Sequence, residues 1–152
     1  MKRNNVRRLL ALVLVAALCL LCGAAAQPNA TEIHIYSADD LVQLSKSCKL
    51  DTWSEGVTVE LEADVSLEGV AFSPIASFSG TFHGNGHTIS GLSLSEGLSL
   101  AGLFQRVQKD ARIEDLNVSG TVKASSTCEA AGGLAGRNAG TIENCSFSGN
   151  VA

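Results

Sequence analysis

A repeated pattern of apolar residues and glycines constrains the fold of this 152-residue chain more than any other feature of its sequence. The segment Gly102–Val122 resembles the segment Gly133–Val151 once a two-residue gap is allowed. Each segment places Ile, then Leu or Cys, then Val or Phe, then Gly in the same order and spacing. One such unit cannot bury its apolar face alone, so several units must stack against one another.

An earlier stretch of the chain extends this repeat. Ile89, Leu92 and Leu94 have the same spacing as the Ile, Leu and Val of the unit that follows. If all units share one register, Ile lies on Ile and Leu on Leu, and Cys145 is a small apolar filler in the leucine position. The pattern therefore predicts a core ladder of nine residues: Ile89, Leu92, Leu94, Ile113, Leu116, Val118, Ile142, Cys145 and Phe147.

The spacing of the repeat and the lack of long helical patterns indicate a β-helix. Apolar and polar residues alternate in Val57–Ala63, and short apolar stretches divided by glycines continue to Ala152. Coils of roughly 20 to 30 residues with no helix inside them stack with parallel strands about 4.8 Å apart. Two other folds are excluded. A leucine-rich repeat needs a leucine ladder ending in Asn, which this chain matches poorly, and a β-sandwich would show less similarity between its strands than the repeats do here. We therefore expect an all-β fold, a parallel β-helix, over residues 57–152.

Residues 27–56 are predicted to form an N-terminal cap with a short α-helix at about 38–48. Ser37 is a favoured N-cap, acidic residues follow it in the first turn, and Lys46 falls near the end. The apolar residues that share one helical face are Leu41, Leu44 and Cys48. We expect Trp53 and Phe72 to pack this helix onto the first coil. An exposed aromatic platform for sugars is the alternative for these two side chains.

The first 26 residues are predicted to be a secretory signal peptide. Four basic residues precede an apolar run at Leu9–Leu21, and small residues follow before a cleavage point ahead of Gln27. The run is shorter than the roughly 20 residues that a membrane span needs. A lipoprotein anchor at Cys19 or Cys22 is the alternative, although a leucine precedes each cysteine where a small residue is favoured.

Charge and cysteine content limit the partners of the chain. Cleavage of the signal peptide leaves 7 of the 11 basic residues against all 15 acidic ones, a net charge of −8. An acidic chain without a basic stripe repels phosphate backbones, so we expect no nucleic-acid partner. Cys48, Cys128 and Cys145 remain, and their spacing fits neither a dense disulfide framework nor a CxxC metal site. We expect small buried side chains here, with one disulfide as the alternative.

Several motifs in order resemble a known family. Residues 132–151, GGLAGRNAGTIENCSFSGNV, are similar to the GLUG repeat of bacterial surface and secreted proteins, and residues 101–122 resemble a divergent copy. Leu61–Leu67 and Phe78–Leu92 resemble the segment that usually precedes such repeats. The resemblance covers residues 36–152. It implies a right-handed parallel β-helix, pectin-lyase-like or filamentous-adhesin-like, at or outside a bacterial cell, and no enzymatic activity of the repeat itself.

Two histidines, His83 and His87, flank a Gly-Asn-Gly segment where the family more often has Asp in place of His83. Zinc sites with two histidines four residues apart rely on a helix to align them, and these glycines favour a tight turn instead. No third ligand with matching spacing is nearby, although folding could bring His34 and Asp64 close. We therefore predict the corner of a coil, with no metal site and no cofactor.

No catalytic residues are predicted. Glycoside hydrolysis needs two positioned carboxylates, whereas Asp64, Asp110, Glu114, Asp115 and Glu143 are scattered singly. Calcium-dependent lyase chemistry needs a basic residue over an acidic cluster, which the arginines lack. The arginines at positions 106 and 137 recur at similar places in successive repeats, so a solvated ladder is expected.

The sequence predicts a secreted or surface-attached bacterial module of adhesion type without catalytic activity, and the N-terminal part of a longer protein. The expected partners are host glycans or proteins, cell-wall material, or a second copy through the open end of the β-helix. No transmembrane span is expected after signal cleavage. The alternatives are the front of a polysaccharide-active or other secreted enzyme and a structural spacer.

Overall fold

A computed structural model describes residues 31–152, so the predicted signal peptide at 1–26 lies outside the described part. That part contains one α-helix, α1, at Ala38–Ser47, and thirteen short strands. The strands are β1 (Thr31–Ile35), β2 (Val57–Leu61), β3 (Val65–Ser66), β4 (Thr81–His83), β5 (Thr88–Leu94), β6 (Leu100–Ala101), β7 (Phe104–Val107), β8 (Arg112–Glu114), β9 (Asn117–Val122), β10 (Ala130–Ala131), β11 (Ala135–Asn138), β12 (Thr141–Glu143) and β13 (Ser146–Val151).

All strand pairs are parallel, and each strand pairs with its counterpart in the next turn of the chain. The long sheet has the order β1-β2-β4-β8-β12, and the second sheet has the order β3-β5-β9-β13. The third side pairs β7 with β11 and extends toward the cap through bridges from Ile75 and Phe78. The chain therefore winds through about four turns, which confirms the predicted all-β parallel β-helix with one short helix.

The interior of the coils is filled by apolar side chains from all three sides. Phe78, Phe82 and Phe104 are fully buried and pack together with ring centroids 5.4 to 6.2 Å apart. Aromatic groups at such separations add to the hydrophobic stabilisation of a core. Two further columns, Ile113 with Ile142 and Val118 with Phe147, are in register between successive coils. Stacking of like positions therefore builds one continuous core.

Helix α1 packs against the same core at the N-terminal end. Ser37 caps it, and the Asp40 side chain completes a capping box by accepting from the Ser37 backbone N–H at 3.0 Å. The predicted apolar face is buried: Leu41, Leu44 and Cys48 belong to the core. The Ser45 hydroxyl donates to the carbonyl of Ser73 at 2.5 Å, which attaches the helix to the first coil. No helix within residues 31–152 is long and apolar enough to cross a membrane.

The register expected for the earliest repeat is wrong. Ile89 pairs with Val118 and not with Ile113, whose partner on the cap side is Phe82. Leu92 stacks on Gly120, and a bulge between Ile89 and Leu92 absorbs an extra residue in β5. Ile89, Leu92 and Leu94 therefore have the same spacing as Ile113, Leu116 and Val118 but lie on the next side of the coil.

A column of two glycines, Gly120 and Gly149, lies in the second sheet. Gly120 and Gly149 have φ values of 154° and 151°, which side chains rarely adopt. A Cβ at Gly120 would strike the carbonyl oxygen of Leu92, and one at Gly149 would strike that of Gly120. These glycines allow the close approach of successive coils.

Candidate functional site

The outer face of the long sheet carries a column of ionisable side chains, one from each strand. Register pairs His34 with Glu60, Glu60 with His83, His83 with Glu114, and Glu114 with Glu143. Each of these residues neighbours an inward-pointing apolar residue, so the alternation of the strand directs it outward. We call these five residues the histidine–glutamate column. It runs across all five strands of the long sheet.

His83 lies between two half-buried carboxylates. Its Nδ1 is 3.3 Å from Glu114 Oε2, and its Nε2 is 3.8 Å from Glu60 Oε1. Asn85 donates to the other oxygen of Glu60 at 2.9 Å, and Arg112 Nε contacts Glu114 at 2.7 Å. Every carboxylate beside this histidine therefore has a second partner, and the arrangement is a satisfied surface network.

His34 makes the shortest contact to a carboxylate of the three histidines. Its Nδ1 is 2.6 Å from Glu62 Oε1, and Glu32 and Glu60 lie nearby. The hydrogen bond to Glu62 raises the pKa of His34 above its usual 6.5, burial partly opposes this rise, and the charges of Glu32, Glu62 and Glu60 add smaller increases. The histidine–glutamate column therefore becomes more positive at its cap end as the pH falls.

The corner between β4 and β5 confirms the predicted tight turn. Asn85 adopts φ 52° and Gly86 φ 78°, and His87 N–H donates to the carbonyl of Gly84 at 2.9 Å. His87 turns away from His83 and pairs with Asp64 at 3.2 Å. The backbone N–H of Thr88 also donates to Asp64, which is the largest cause of that carboxylate's lowered pKa.

The structure brings His87 to Asp64, but it does not assemble the two turn histidines into one site. His34 pairs with Glu62 instead of approaching them. Within residues 31–152 no group of three or more His, Cys, Asp or Glu side chains is placed to hold a metal ion.

The nine residues of the expected core ladder fall into two groups by burial. Ile89, Leu92, Leu94, Ile113, Leu116 and Val118 are buried, whereas Ile142, Cys145 and Phe147 in the last coil are half-buried. Cys145 follows Ile142 as Leu116 follows Ile113, and the N–H of the next residue, Ser146, donates to the Leu116 carbonyl at 2.9 Å. Cys145 therefore lies over Leu116, and Leu92 belongs to a different column.

All three cysteines in the described part are free thiols. Cys48 is buried beside α1, and burial raises its pKa to about 11. Burial also raises the pKa of Cys145. Both thiols are therefore protonated and unreactive near neutral pH. The predicted arginine ladder is confirmed as well, because Arg106 and Arg137 are exposed and in register on β7 and β11.

The sequence singled out Asp64, the partner of His87, but not the glutamates that contact His34 and His83. Glu60, His83, Glu114 and Glu143 each follow the inward apolar residue of their strand by one position. That shared offset is the signal that would have revealed the column. The two aromatic residues expected to pack α1 onto the first coil differ from one another: Phe72 packs against the core, whereas Trp53 remains 39% exposed beside α1.

Comparison with known proteins agrees with this geometry. Residues 127–152 match the family model "The GLUG motif". The chain is also 34% identical over 139 residues to Halomucin of Haloquadratum walsbyi (strain DSM 16790 / HBSQ001), a match that covers 81% of this chain and 2% of that protein. No solved structure matches this chain. Strands β10–β13 of the parallel coils lie within the matched motif. The chain is therefore a GLUG-repeat β-helix protein.

Proposed function

We propose that this chain is an exported, non-catalytic repeat module that presents its outer faces to glycans, proteins or cell-wall material at or outside the cell surface. The observation that carries the proposal is the similarity to Halomucin, which reaches far beyond the GLUG motif into the rest of the chain. The name of that relative contains the word mucin, and on this ground we infer an extracellular setting for this chain.

The physical form of the chain supports a role in presentation. Backbone hydrogen bonds join successive coils on three sides, so the outer side chains are held at fixed spacings of about 4.8 Å along the stack. The ionisable groups of the long sheet are paired with one another, as in a solvated face. Such a face is suited to repeated weak contacts with an extended partner.

Export and source belong to the same proposal. The basic start and apolar run of residues 1–26 support cleavage and secretion or surface display. The resemblance to the GLUG repeats of bacterial surface and secreted proteins is our ground for proposing a bacterial source, and the match to 2% of Halomucin is our ground for proposing a place in a longer protein.

Binding to immobilised mucin and to purified cell-wall polysaccharide tests this function. Circular dichroism first verifies that the full chain is folded. The folded chain is then expected to be retained on at least one of these surfaces and to leave polysaccharide viscosity unchanged. A folded chain that is retained on none of them would contradict presentation and favour a spacer. A fall in viscosity would instead identify an enzyme.

A further inference from the structure

A small groove between α1 and β1 combines an exposed aromatic ring with polar side chains. Its cavity volume is about 210 Å³, and Trp53 forms part of its lining together with the apolar side chain of Leu44. The polar lining comes from His34, Asp40, Gln43 and Ser47. Small-molecule sites combine apolar and aromatic lining with a few polar groups that fix the orientation of the ligand, and this groove contains both kinds of side chain.

The aromatic side chains of the protein are unevenly distributed. Its one Trp and one Tyr are exposed at the cap end, Trp53 by 39% and Tyr36 by 63%, whereas the three clustered phenylalanines of the core are fully buried. Packing of the cap therefore leaves part of Trp53 accessible to a ligand. Exposed Trp and Tyr rings, which have an apolar body and a polar edge, are enriched where proteins bind partners.

The polar side chains of the groove retain hydrogen-bonding capacity. The Gln43 amide and the Ser47 hydroxyl make no side-chain hydrogen bond to any residue in 31–152. The Asp40 carboxylate uses only Oδ2 for Tyr36 and Ser37, at 2.8 to 3.0 Å, which fixes its orientation and leaves Oδ1 available. Donors and acceptors therefore surround the indole without being used by the fold.

The groove is rigid because both of its walls are anchored. Helix α1 is held by its capping box, by the buried Leu41 and Cys48, and by the hydrogen bond from Ser45 to Ser73. Strand β1 is paired along its whole length with β2. A preformed site loses little conformational entropy on binding.

We infer that this groove binds one ring of a neutral carbohydrate, with the apolar face of the sugar on Trp53 and its hydroxyls on Gln43, Ser47 and Asp40. The inference rests on the proposed function and names the ligand class for one site. The volume fits a single pyranose ring, and the mixed lining matches a ligand with one apolar face and a polar edge. The negative charge of Asp40 and of the chain disfavours acidic sugars.

Trp53 provides its own probe because it is the only tryptophan in the chain. We expect the emission of the full chain to change in a saturable manner with methyl glucoside, methyl galactoside or N-acetylglucosamine, at a dissociation constant near the millimolar range (about −4 kcal/mol). Glucuronic acid is expected to give no saturable change. Trp53→Ala is expected to abolish binding as measured by saturation-transfer NMR, and Gln43→Ala to weaken it by about three- to tenfold.

A matched control is Leu50→Ala, because Leu50 is 69% exposed on the same segment but does not line the groove. This variant and Trp53→Ala are first compared by circular dichroism and thermal unfolding. Unchanged binding in folded Trp53→Ala, or no response to any neutral sugar, would overturn the inference. So would a blue-shifted emission that acrylamide does not quench, because another part of the chain would then cover the groove.

Retention on mucin separates this inference from the proposed function. If Trp53→Ala and the native chain are retained equally on mucin and neither binds free sugars, the carbohydrate groove is rejected and surface presentation stands. If the native chain is retained on nothing but binds neutral sugars through Trp53, presentation is rejected and the groove stands.

Discussion

The middle coil and the last coil contain the same repeat in the same register, yet their apolar residues differ in burial. Ile113 and Val122 are completely buried, whereas Ile142, which stacks on Ile113, is half-buried and Val151, which stacks on Val122, is 46% exposed. The side chains and backbone pairing are alike, so the difference comes from whether a further coil lies on top. Burial in this fold is a property of neighbouring coils more than of the repeat itself.

The N-terminal end shows the opposite situation. Helix α1 covers the core with Leu41 and Leu44, and the inward apolar residues of β2, Val57, Val59 and Leu61, are all buried. Equal substitutions in the middle and last coils should therefore have unequal effects, whereas changes in the cap should act locally.

The largest difference is expected for a charge placed in the leucine column. Leu116→Asp puts a carboxylate in the middle of the core and should abolish cooperative folding, a loss of more than about 4 kcal/mol. Cys145→Asp, at the same position one coil later, reaches solvent more easily and should leave a folded protein. Circular dichroism with urea unfolding measures both, and equal losses would contradict the dependence on neighbouring coils.

A smaller version of the same comparison uses truncation. Ile113→Ala should lower the free energy of unfolding by about 2–5 kcal/mol, because the cavity is enclosed on both sides. Ile142→Ala should lower the free energy of unfolding by about 1 kcal/mol or less, because Ile142 is already partly exposed to water and the truncation removes less buried apolar area. Urea midpoints of the two variants give the ratio, and a ratio near one would show that the last coil is covered in solution.

Loss of the helix cap should have a moderate and local effect. Ser37→Ala removes the capping box and should destabilise the protein by about 1 kcal/mol. The hydrogen bonds from Ser37 and Tyr36 lower the pKa of Asp40 below its usual 3.8, so their stabilisation is present above that pH and is lost as the pH falls. The variant should therefore lose less stability on acidification than the native chain does, while Ser93→Ala, at an exposed serine of β5, should match the native chain.

The smallest effect concerns the cap end of the histidine–glutamate column. His34 should titrate above 6.5, and Glu62→Gln should move its midpoint back toward that value, as followed by histidine NMR signals. Because the folded pKa is raised, the contribution of this pair is complete below pH 6.5 and is lost as the pH rises through the folded value. A midpoint that does not respond to Glu62→Gln would show that the 2.6 Å contact does not persist in solution.

The sequence was sufficient for the fold class, the capping helix and the register of the last two coils. Ile113 with Ile142 and Arg106 with Arg137 could be paired because both repeats are 29 to 31 residues apart and have nearly equal loops. The earlier register could not be obtained this way. The β5 bulge gives Ile89, Leu92 and Leu94 the spacing of a different side of the coil.

The candidate sites depended on that register and were therefore harder to predict. The pairing of His83 with Glu60 and Glu114 joins residues more than 20 positions apart, and their alignment follows only from which strands are neighbours. Trp53 was recognised as a possible platform, but its groove partners on α1 follow from the angle of the helix against β1. No local pattern encodes that angle.

The strict order of the strands also governs how the chain can fold. In the long sheet, each strand pairs with the strand of the previous turn before it meets the next one. A chain that leaves a ribosome or a membrane pore with its N-terminus first thus always has a finished template for the segment that emerges next. Every strand pairing of the long sheet can therefore form as soon as the next coil has emerged, without waiting for a more distant part of the sequence.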